Sequence, residues 1–439
     1  MIKTAFVFPG QGSQYPGMGE ALYDNFPIAR QIFDEAGEVD GIKIKHLCFY
    51  EDMDLLTQTK YTQPALFTVS YAMFQVFMQE GIEPAYLAGH SLGEITALAC
   101  AGAIDFKDAV RLVKARGSIM QRAAKRCQGR MIAIKGGNLD YIRKVCQLCT
   151  VDGDIAVISN YNSPDQIVVS GNNHAVMSVG SEIQKQGGSF TELKVSAPFH
   201  SPLMSEAADE FQEELKNYKF HDFKYQVISN VTAEPYGGKN DIYELLIKHM
   251  KNPVLWKDSV DYMISHDVDH VLELGPKSVL SNLIKKCGPG IKAYSYDKKE
   301  DMNNIDNLIT EITKKAAKRL ETESRNEAFM NECLKRALSP AVKKKNCLSE
   351  DTTAITLCLA HAICVPSYAN TDAEYKRGVL QPYRQIKKMN SLIEKEKRQP
   401  TGEEVEASFH MLYEVFQTKK VSKMEQQLRF QSICEKLGK

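Results

Sequence analysis

The sequence predicts an α/β chain in three parts: a parallel-sheet core covered on both faces, a small ferredoxin-like subdomain inserted into it, and a helical C-terminal extension. Three observations predict this. Through about residue 300, short β-type runs alternate with helical periods, as in a sheet packed on both sides. Between Gly129 and Val195 the runs follow the order β-α-β-β-α-β of a split βαβ unit. From about Asp301 strand formers become scarce and Lys, Glu and Ala dominate. The expected boundaries are 1–128 and 196–300 for the core, 129–195 for the subdomain and 301–439 for the extension. A length of 439 residues suits about three folding units at roughly 150 residues each.

Taken in order, Lys3–Phe8 alternates as a strand and runs into the glycine turn Pro9-Gly10-Gln11-Gly12. Pro64–Gln79 is apolar around most of its circumference, as a buried helix is. Tyr86-Leu87-Ala88 is a short strand, followed by a turn around Ser91 and an Ala-rich helix to about Ala103. In the subdomain, Met131–Ile134, Ile155–Ile158, Ile167–Val169 and Thr191–Val195 read as strands, with helices near Leu139–Cys149 and Asn173–Gly187. Thr313–Lys345 reads as solvated helix or linker. Thr401-x-x-Glu404, after Pro400, forms a capping box that starts a helix. Val405, Phe409, Leu412 and Phe416 follow at helical spacing, and this stripe must pack on the body, on itself or on a partner.

Composition excludes several classes. The 55 basic and 55 acidic side chains cancel, so no bulk positive field points to nucleic acid. The longest apolar stretch, Ala354–Pro366, is interrupted by His361 and is too short to span a bilayer, so no membrane association is expected. The 11 cysteines are odd in number and scattered, with no secretory signal before them, which points to free thiols in a reducing cytosol. Cys146 and Cys149 form a lone CxxC with no second pair, which reads as two helical cysteines and not as a metal site.

Chemistry concentrates at Gly89-His90-Ser91-Leu92-Gly93, a GxSxG between a strand and a helix. That context is a nucleophile elbow, and it makes the core α/β-hydrolase-like. Ser91 stands at a helix N-terminus, where free amides favour developing negative charge. A serine needs a base, and of ten histidines His200 lies at a strand end, where such sheets gather active-site groups. His90 reads as a structural elbow residue projecting away from Ser91. His46, His174, His221, His249, His266, His270, His361 and His410 read as surface residues. The turn at Gly10-Gln11-Gly12 and the amide of Leu92 supply two donors for an oxyanion hole. No phosphate-loop or dinucleotide motif is present. Arg116, on a helix with apolar spacing, offers a guanidinium fork suited to a carboxylate, while the default reading of such an arginine is a surface salt bridge.

A series of segments then resembles the malonyl-CoA:acyl-carrier-protein transacylases. They are FPGQGSQ at 8–14, TQPALF at 62–67, AGHSLGE at 88–94, RGSIMQ at 116–121, NSPDQIVVSG at 162–171, APFHSPLM at 197–204, NPVLW at 252–256 and ELGPKSVL at 273–280. The resemblance covers residues 1 to about 300, in family order and spacing. It implies Ser91 as acyl acceptor, His200 as base, the amides of Gln11 and Leu92 as oxyanion donors, and Arg116 as clamp for the malonyl carboxylate. It places Gln63, Met120, Asn162 and Phe199 against the substrate, with Phe199 in the malonyl-type pattern. It implies that a backbone carbonyl orients the histidine, expected from Leu255, where bacterial relatives carry glutamine. Lys285 and Lys286 match a basic pair used against the acidic carrier protein. No cofactor is implied: malonyl-CoA is substrate, and the partner carries phosphopantetheine. The extension, including Tyr375–Arg384, resembles the tails of stand-alone acyltransferases that serve polyketide synthase modules in trans. The alternatives are a housekeeping fatty-acid transacylase, an editing acyl hydrolase, whose relatives tend to lack the arginine, and a non-catalytic binding module.

Overall fold

Strand β1 (Thr4–Phe8) is buried at every position. Alternate residues serve opposite sides of the sheet: Phe6 and Phe8 join one apolar core, and Ala5 and Val7 another. A central strand covered on both faces must be apolar in both directions. The computed structural model describes residues 2–315 except 40, 42, 51, 52, 128, 152, 194, 196 and 289. In the tail it describes 355, 357, 358, 362, 376–396, 398, 400–419, 421, 426 and 428–433. The chain divides into two compact units, Met1–Thr313 and Lys314–Lys439.

The strands of the first unit are β1, β2 (Tyr86–Gly89), β3 (Gly129–Lys135), β4 (Ala156–Ser163), β5 (Gln166–Asn172), β6 (Ser189–Glu192), β7 (Gln226–Ile228), β8 (His270–Glu273) and β9 (Lys292–Ser295). Five form a sheet in the order β7-β2-β1-β8-β9, with every neighbouring pair parallel. Their carboxyl ends therefore share one edge, where Gly89 lies beside Phe8 and Glu273 beside Val7. Loops leaving such an edge build the sites of α/β proteins.

The other four strands pair antiparallel in the order β4-β5-β3-β6. With the helices Leu139–Cys149 and Asn173–Lys185 this is the ferredoxin-like arrangement. One sheet face, with Ile132, Ile134 and Val169, packs on Ile142, Val145, Val176 and Val179 of those helices. Met131 and Val168, on the other face, belong to the main core. Two strands differ from expectation. β6 ends at Glu192: the Leu193 N–H still donates to the Met131 carbonyl at 3.0 Å, but the Val195 N–H bonds locally to the Leu193 carbonyl at 2.8 Å, and both residues line the cavity described below. β4 runs on through the polar Asn160–Ser163, with register shifts at Ile158/Asn160 and Tyr161/Ser163 that turn Asn160 and Asn162 toward the same cavity.

In the tail, the helix Gly402–Thr418 is capped as the sequence requires. Thr401 Oγ1 accepts from the Glu404 N–H at 3.2 Å, and Glu404 Oε2 accepts from the Thr401 N–H at 2.8 Å. Val405, Phe409, Leu412 and Phe416 are buried with Leu357, Cys358, Val379 and Phe430, so the stripe packs within the tail itself. Nearly all of Thr313–Lys345 and most of Ala354–Pro366 lie outside the described residues. Among the described residues no helix is long and apolar enough to cross a membrane.

Candidate active site

Gly89 ends β2 and Leu92 opens the helix Leu92–Cys100, so His90 and Ser91 make the whole turn. Ser91 sits at φ 53° and ψ −104°, a backbone state that few non-glycine residues adopt. The turn is tight because its neighbours lack Cβ. One at Gly89 would collide with the Gly93 carbonyl group, and one at Gly93 with the Phe8 carbonyl oxygen. Asn230, just past β7, braces the turn from the side. Its Oδ1 accepts the Ser91 N–H at 2.8 Å, and its Nδ2 donates to the Gly89 carbonyl at 2.6 Å.

The elbow brings Ser91 Oγ to 2.8 Å from His200 Nε2. His200 Nδ1 lies 2.9 Å from the His249 carbonyl. A carbonyl can only accept, so Nδ1 holds the hydrogen and Nε2 turns its lone pair to the hydroxyl. Burial first, then the neighbouring His249 and Arg116, push the His200 pKa well below its ordinary value. The ring is therefore neutral and able to accept a proton at neutral pH.

Arg116, on the helix Phe106–Arg126, is only 2% exposed. Its Nη1 donates to Gln63 Oε1 at 2.9 Å and its Nη2 to Ser91 Oγ at 3.3 Å. Gln63 in turn donates to Met120 Sδ at 3.2 Å, which fixes its oxygen toward the arginine. Burial lowers the Arg116 pKa to about 10, against the opposing field of Glu94, and it stays cationic at neutral pH. Among the described residues no carboxylate comes within ion-pair distance of it. These groups face a cavity of about 250 Å³. Met131, Ala133 and Val168 of the subdomain cover one side, and Phe199, Leu280 and Leu283 line another part of the wall. Gln11 and Leu92 are beside Ser91 in the lining, and the Leu92 amide, at the helix start, has no intrahelical acceptor. A serine on an elbow, a neutral histidine and a fixed cation around one cavity can form and break an ester with an acyl group bearing a carboxylate.

Residues 5–296 match the family model described as acyl transferase domain. The chain belongs to that family. Among relatives of this acyltransferase, a malonyl CoA-acyl carrier protein transacylase from Bacillus subtilis is 36% identical over 429 residues, 97% of this chain and 99% of the relative. One of the same name from Escherichia coli (strain K12) is 40% identical over 304 residues, 69% of this chain and 98% of its own. The first match is long enough to include most of the tail; the second is long enough for the acyltransferase unit alone. The crystal structure of malonyl CoA-acyl carrier protein transacylase from Clostridium perfringens is 34% identical with a TM-score of 0.68, covering 72% of this chain and 99% of that one. A malonyl-transacylase solved with a type II polyketide synthase acyl-carrier protein is 36% identical with a TM-score of 0.66, over 68% and 97%.

Of the residues singled out in the acyltransferase sequence, Gln11, Gln63, Ser91, Leu92, Arg116, Met120, Asn162, Phe199 and His200 line the one cavity. Leu255 does not reach His200. Its carbonyl is committed to the helix Trp256–Ser265, accepting the Ser259 N–H at 3.0 Å and hydroxyl at 2.8 Å. The carbonyl of His249 takes its place, because it lies in the last turn of Lys239–Lys251, where carbonyls lack intrahelical donors. Lys285 and Lys286 stand in the turn after Val279–Ile284, outside the cavity lining, and Lys286 is paired with Asp165 at 2.9 Å.

Three histidines depart from the sequence reading. His249 is 1% exposed and His270 is buried; neither is a surface residue. The His90 ring lines the cavity, with Nε2 2.9 Å from Asn162 Oδ1, and does not turn away from the site. Sequence reasoning missed Glu94, Asn230 and Tyr236. Asn230 was accessible from the rule that picked His200, since it follows a strand on the carboxyl edge. Glu94 carried a weaker signal, the one acid in the otherwise apolar helix LGEITALAC; a buried charge needs partners.

Proposed function

We propose that this acyltransferase moves malonyl from malonyl-CoA to the phosphopantetheine thiol of an acyl carrier protein, through an ester on Ser91. The observation that carries this is the buried Arg116, a cation without a carboxylate of its own among the described residues, 3.3 Å from Ser91 Oγ. Leaving a buried charge unpaired is costly, so a site that keeps one suits a ligand that brings the opposite charge. Malonyl carries its free carboxylate one methylene from the reacting carbonyl. Both relatives named above are malonyl transacylases, which supports the same assignment.

His200 takes the proton of Ser91 as Oγ attacks the thioester carbonyl. The negative charge that develops on the carbonyl oxygen is met by the amides of Gln11 and Leu92; one such donor is worth about 3 to 4 kcal/mol. The tetrahedral species collapses, the carbon–sulfur bond breaks, and His200 returns the proton to the departing CoA thiol. The carrier's phosphopantetheine thiol then attacks the malonyl ester by the reverse steps, and Ser91 recovers its proton. Arg116, set by Gln63 and Met120, holds the acyl group in place through both steps. Phe199 fills the volume a 2-methyl branch needs, a discrimination of about 1 to 3 kcal/mol. Ser91 and His200 supply all the chemistry, so no bound cofactor is required. Lys285 and Lys286 offer positive charge to an acidic carrier, in the cytosol, where the cysteines stay reduced.

The acceptor we propose is a carrier of a polyketide assembly line, served in trans. The tail supports this reading, together with the likeness to a malonyl-transacylase solved with a type II polyketide synthase carrier. A fatty-acid carrier is the alternative acceptor. Intact-protein mass spectrometry of both holo carriers, mixed with the acyltransferase and malonyl-CoA, tests it. Faster malonylation of the polyketide carrier is expected. Preference for the fatty-acid carrier reverses the pathway, and release of free malonate with neither carrier loaded makes the chain a hydrolase.

A further inference from the structure

A buried carboxylate links both halves of the site. Glu94 lies three residues after Ser91, on the helix behind the elbow, with no exposed surface. Its Oε1 accepts the Tyr236 hydroxyl at 2.5 Å and the Asn230 main-chain N–H at 3.2 Å. The Asn230 side chain in turn grips the Ser91 N–H and the Gly89 carbonyl. On the other side, Glu94 Oε2 meets His249 Nδ1 at 2.8 Å, an electrostatic contact that falls outside straight hydrogen-bond geometry. At that distance from a carboxylate oxygen the nitrogen must carry its hydrogen, since a lone pair would be repelled. His249 Nε2 is buried without a hydrogen-bond partner among the described residues. The His249 ring stacks on the His200 ring, with centroids 5.0 Å apart and planes 24° from parallel. Its carbonyl receives the His200 Nδ1–H at 2.9 Å.

We infer that Glu94 is a positioning residue for both members of the Ser91–His200 pair, acting on the serine through Asn230 and on the histidine through His249. In a serine triad the acid touches the base directly. In this site the base is oriented by a main-chain carbonyl and a stacked ring, and the acid stands one residue further back, fixing that ring. The same carboxylate also sets the tilt of the elbow, so the two reacting partners share one anchor. Its charge supports that of Arg116, and the Tyr236 hydroxyl and His249 Nδ1 are the titratable groups in direct contact with it among the described residues. Misplacement by about 1 Å costs a reaction of this kind on the order of 100-fold.

The inference rests on the reading of Ser91 as acyl acceptor and His200 as base. Its test is single-turnover malonylation of the full chain by malonyl-CoA, read by intact mass, in wild type, Glu94→Gln and His249→Gln. The second variant keeps the main-chain carbonyl. In Glu94→Gln the acylation rate constant is expected to fall about 10- to 100-fold, with the malonyl-CoA concentration for half-maximal rate held within about twofold and the burst amplitude intact. Combining the two substitutions should cost less than the product of their separate effects. A reduced amplitude with an unchanged rate constant marks a merely structural carboxylate and overturns the inference. If Glu94→Gln yields no folded protein, His249→Gln decides: a slowed rate constant at full amplitude supports the inference, and an unchanged one overturns it. Absence of any ester in wild type overturns the reading of Ser91 instead.

Discussion

At Arg116 one guanidinium serves two acceptors, Gln63 and Ser91 Oγ. A substrate carboxylate that takes it from Ser91 leaves the hydroxyl to His200, so binding the right acyl group also frees the attacking oxygen. Arg116→Ala should therefore lower kcat/KM for malonyl-CoA by about 2 to 5 kcal/mol, or about 30- to several-thousand-fold, while acylation by acetyl-CoA is spared. Steady-state kinetics with both thioesters measure this. Two histidines of the site, His90 and His200, predict a pH response with a definite sign. His90 titrates at about 4, lowered by burial, and His200 well below 6.5. Between those values and 6.5 the unfolded chain binds protons that the folded chain does not, so stability falls as pH drops through that window. For His90 the loss is complete near pH 4 and amounts to about 3 kcal/mol at most. Denaturant midpoints should be lower at pH 5 than at pH 7, and His90→Asn should flatten the slope. Ser91 and His200 were legible because each sits in a local pattern tied to its chemistry, whereas Arg116 was singled out by the family resemblance, its own pattern reading by default as a surface salt bridge. His249 was not legible. Its carbonyl matters because a helix ends there against His200, and no local spacing reveals where two distant segments meet.

Elements follow sequence where local rules agree with burial. β1 and β2 are apolar runs that end in glycine turns, and the structure keeps both. The elbow depends on close approach, so Gly93→Ala must push a methyl into the Phe8 carbonyl. Overpacking costs about 1 to 3 kcal/mol where side chains can yield, and a main-chain oxygen yields less. Gly93→Ala should therefore lower the denaturant midpoint by more than that range implies, together with loss of acylation. In the tail, Thr401→Ala should cost the capped helix about 1 kcal/mol, seen as earlier loss of helical signal on heating. Where function bends an element, the sequence misleads. The sequence reading stops this strand at Ile158, yet β4 runs on to Ser163, where bulges hold the polar end in the ladder and aim Asn160 and Asn162 into the cavity. β6 reads longer than it is, because after a last bond from Leu193 to β3 the Val195 N–H turns to the Leu193 carbonyl and the chain faces the cavity.

The whole molecule separates the chemistry from the extension. Every cavity-lining residue lies in Met1–Thr313, and the apolar stripe of the tail is buried in the tail's own core. A chain ending after Thr313 should therefore stay folded and malonylate itself within about twofold of the full-length rate, since no residue of the reaction is removed. Any role of the tail would then show only in the choice of acceptor carrier. The order β-α-β-β-α-β disclosed the subdomain, but not that the second face of its sheet covers the acyl cavity. That depends on which face each helix takes, which strand order alone does not fix. The central claim is that a buried cation beside an activated serine selects a carboxylate-bearing acyl group. The most direct measurement is intact mass after brief exposure to malonyl-CoA or acetyl-CoA, in wild type, Ser91→Ala and Arg116→Ala. The account predicts a malonyl adduct in wild type alone, mapped to Ser91 and discharged by a holo carrier protein. Equal malonyl loading of Arg116→Ala, or an adduct that survives in Ser91→Ala, would contradict it.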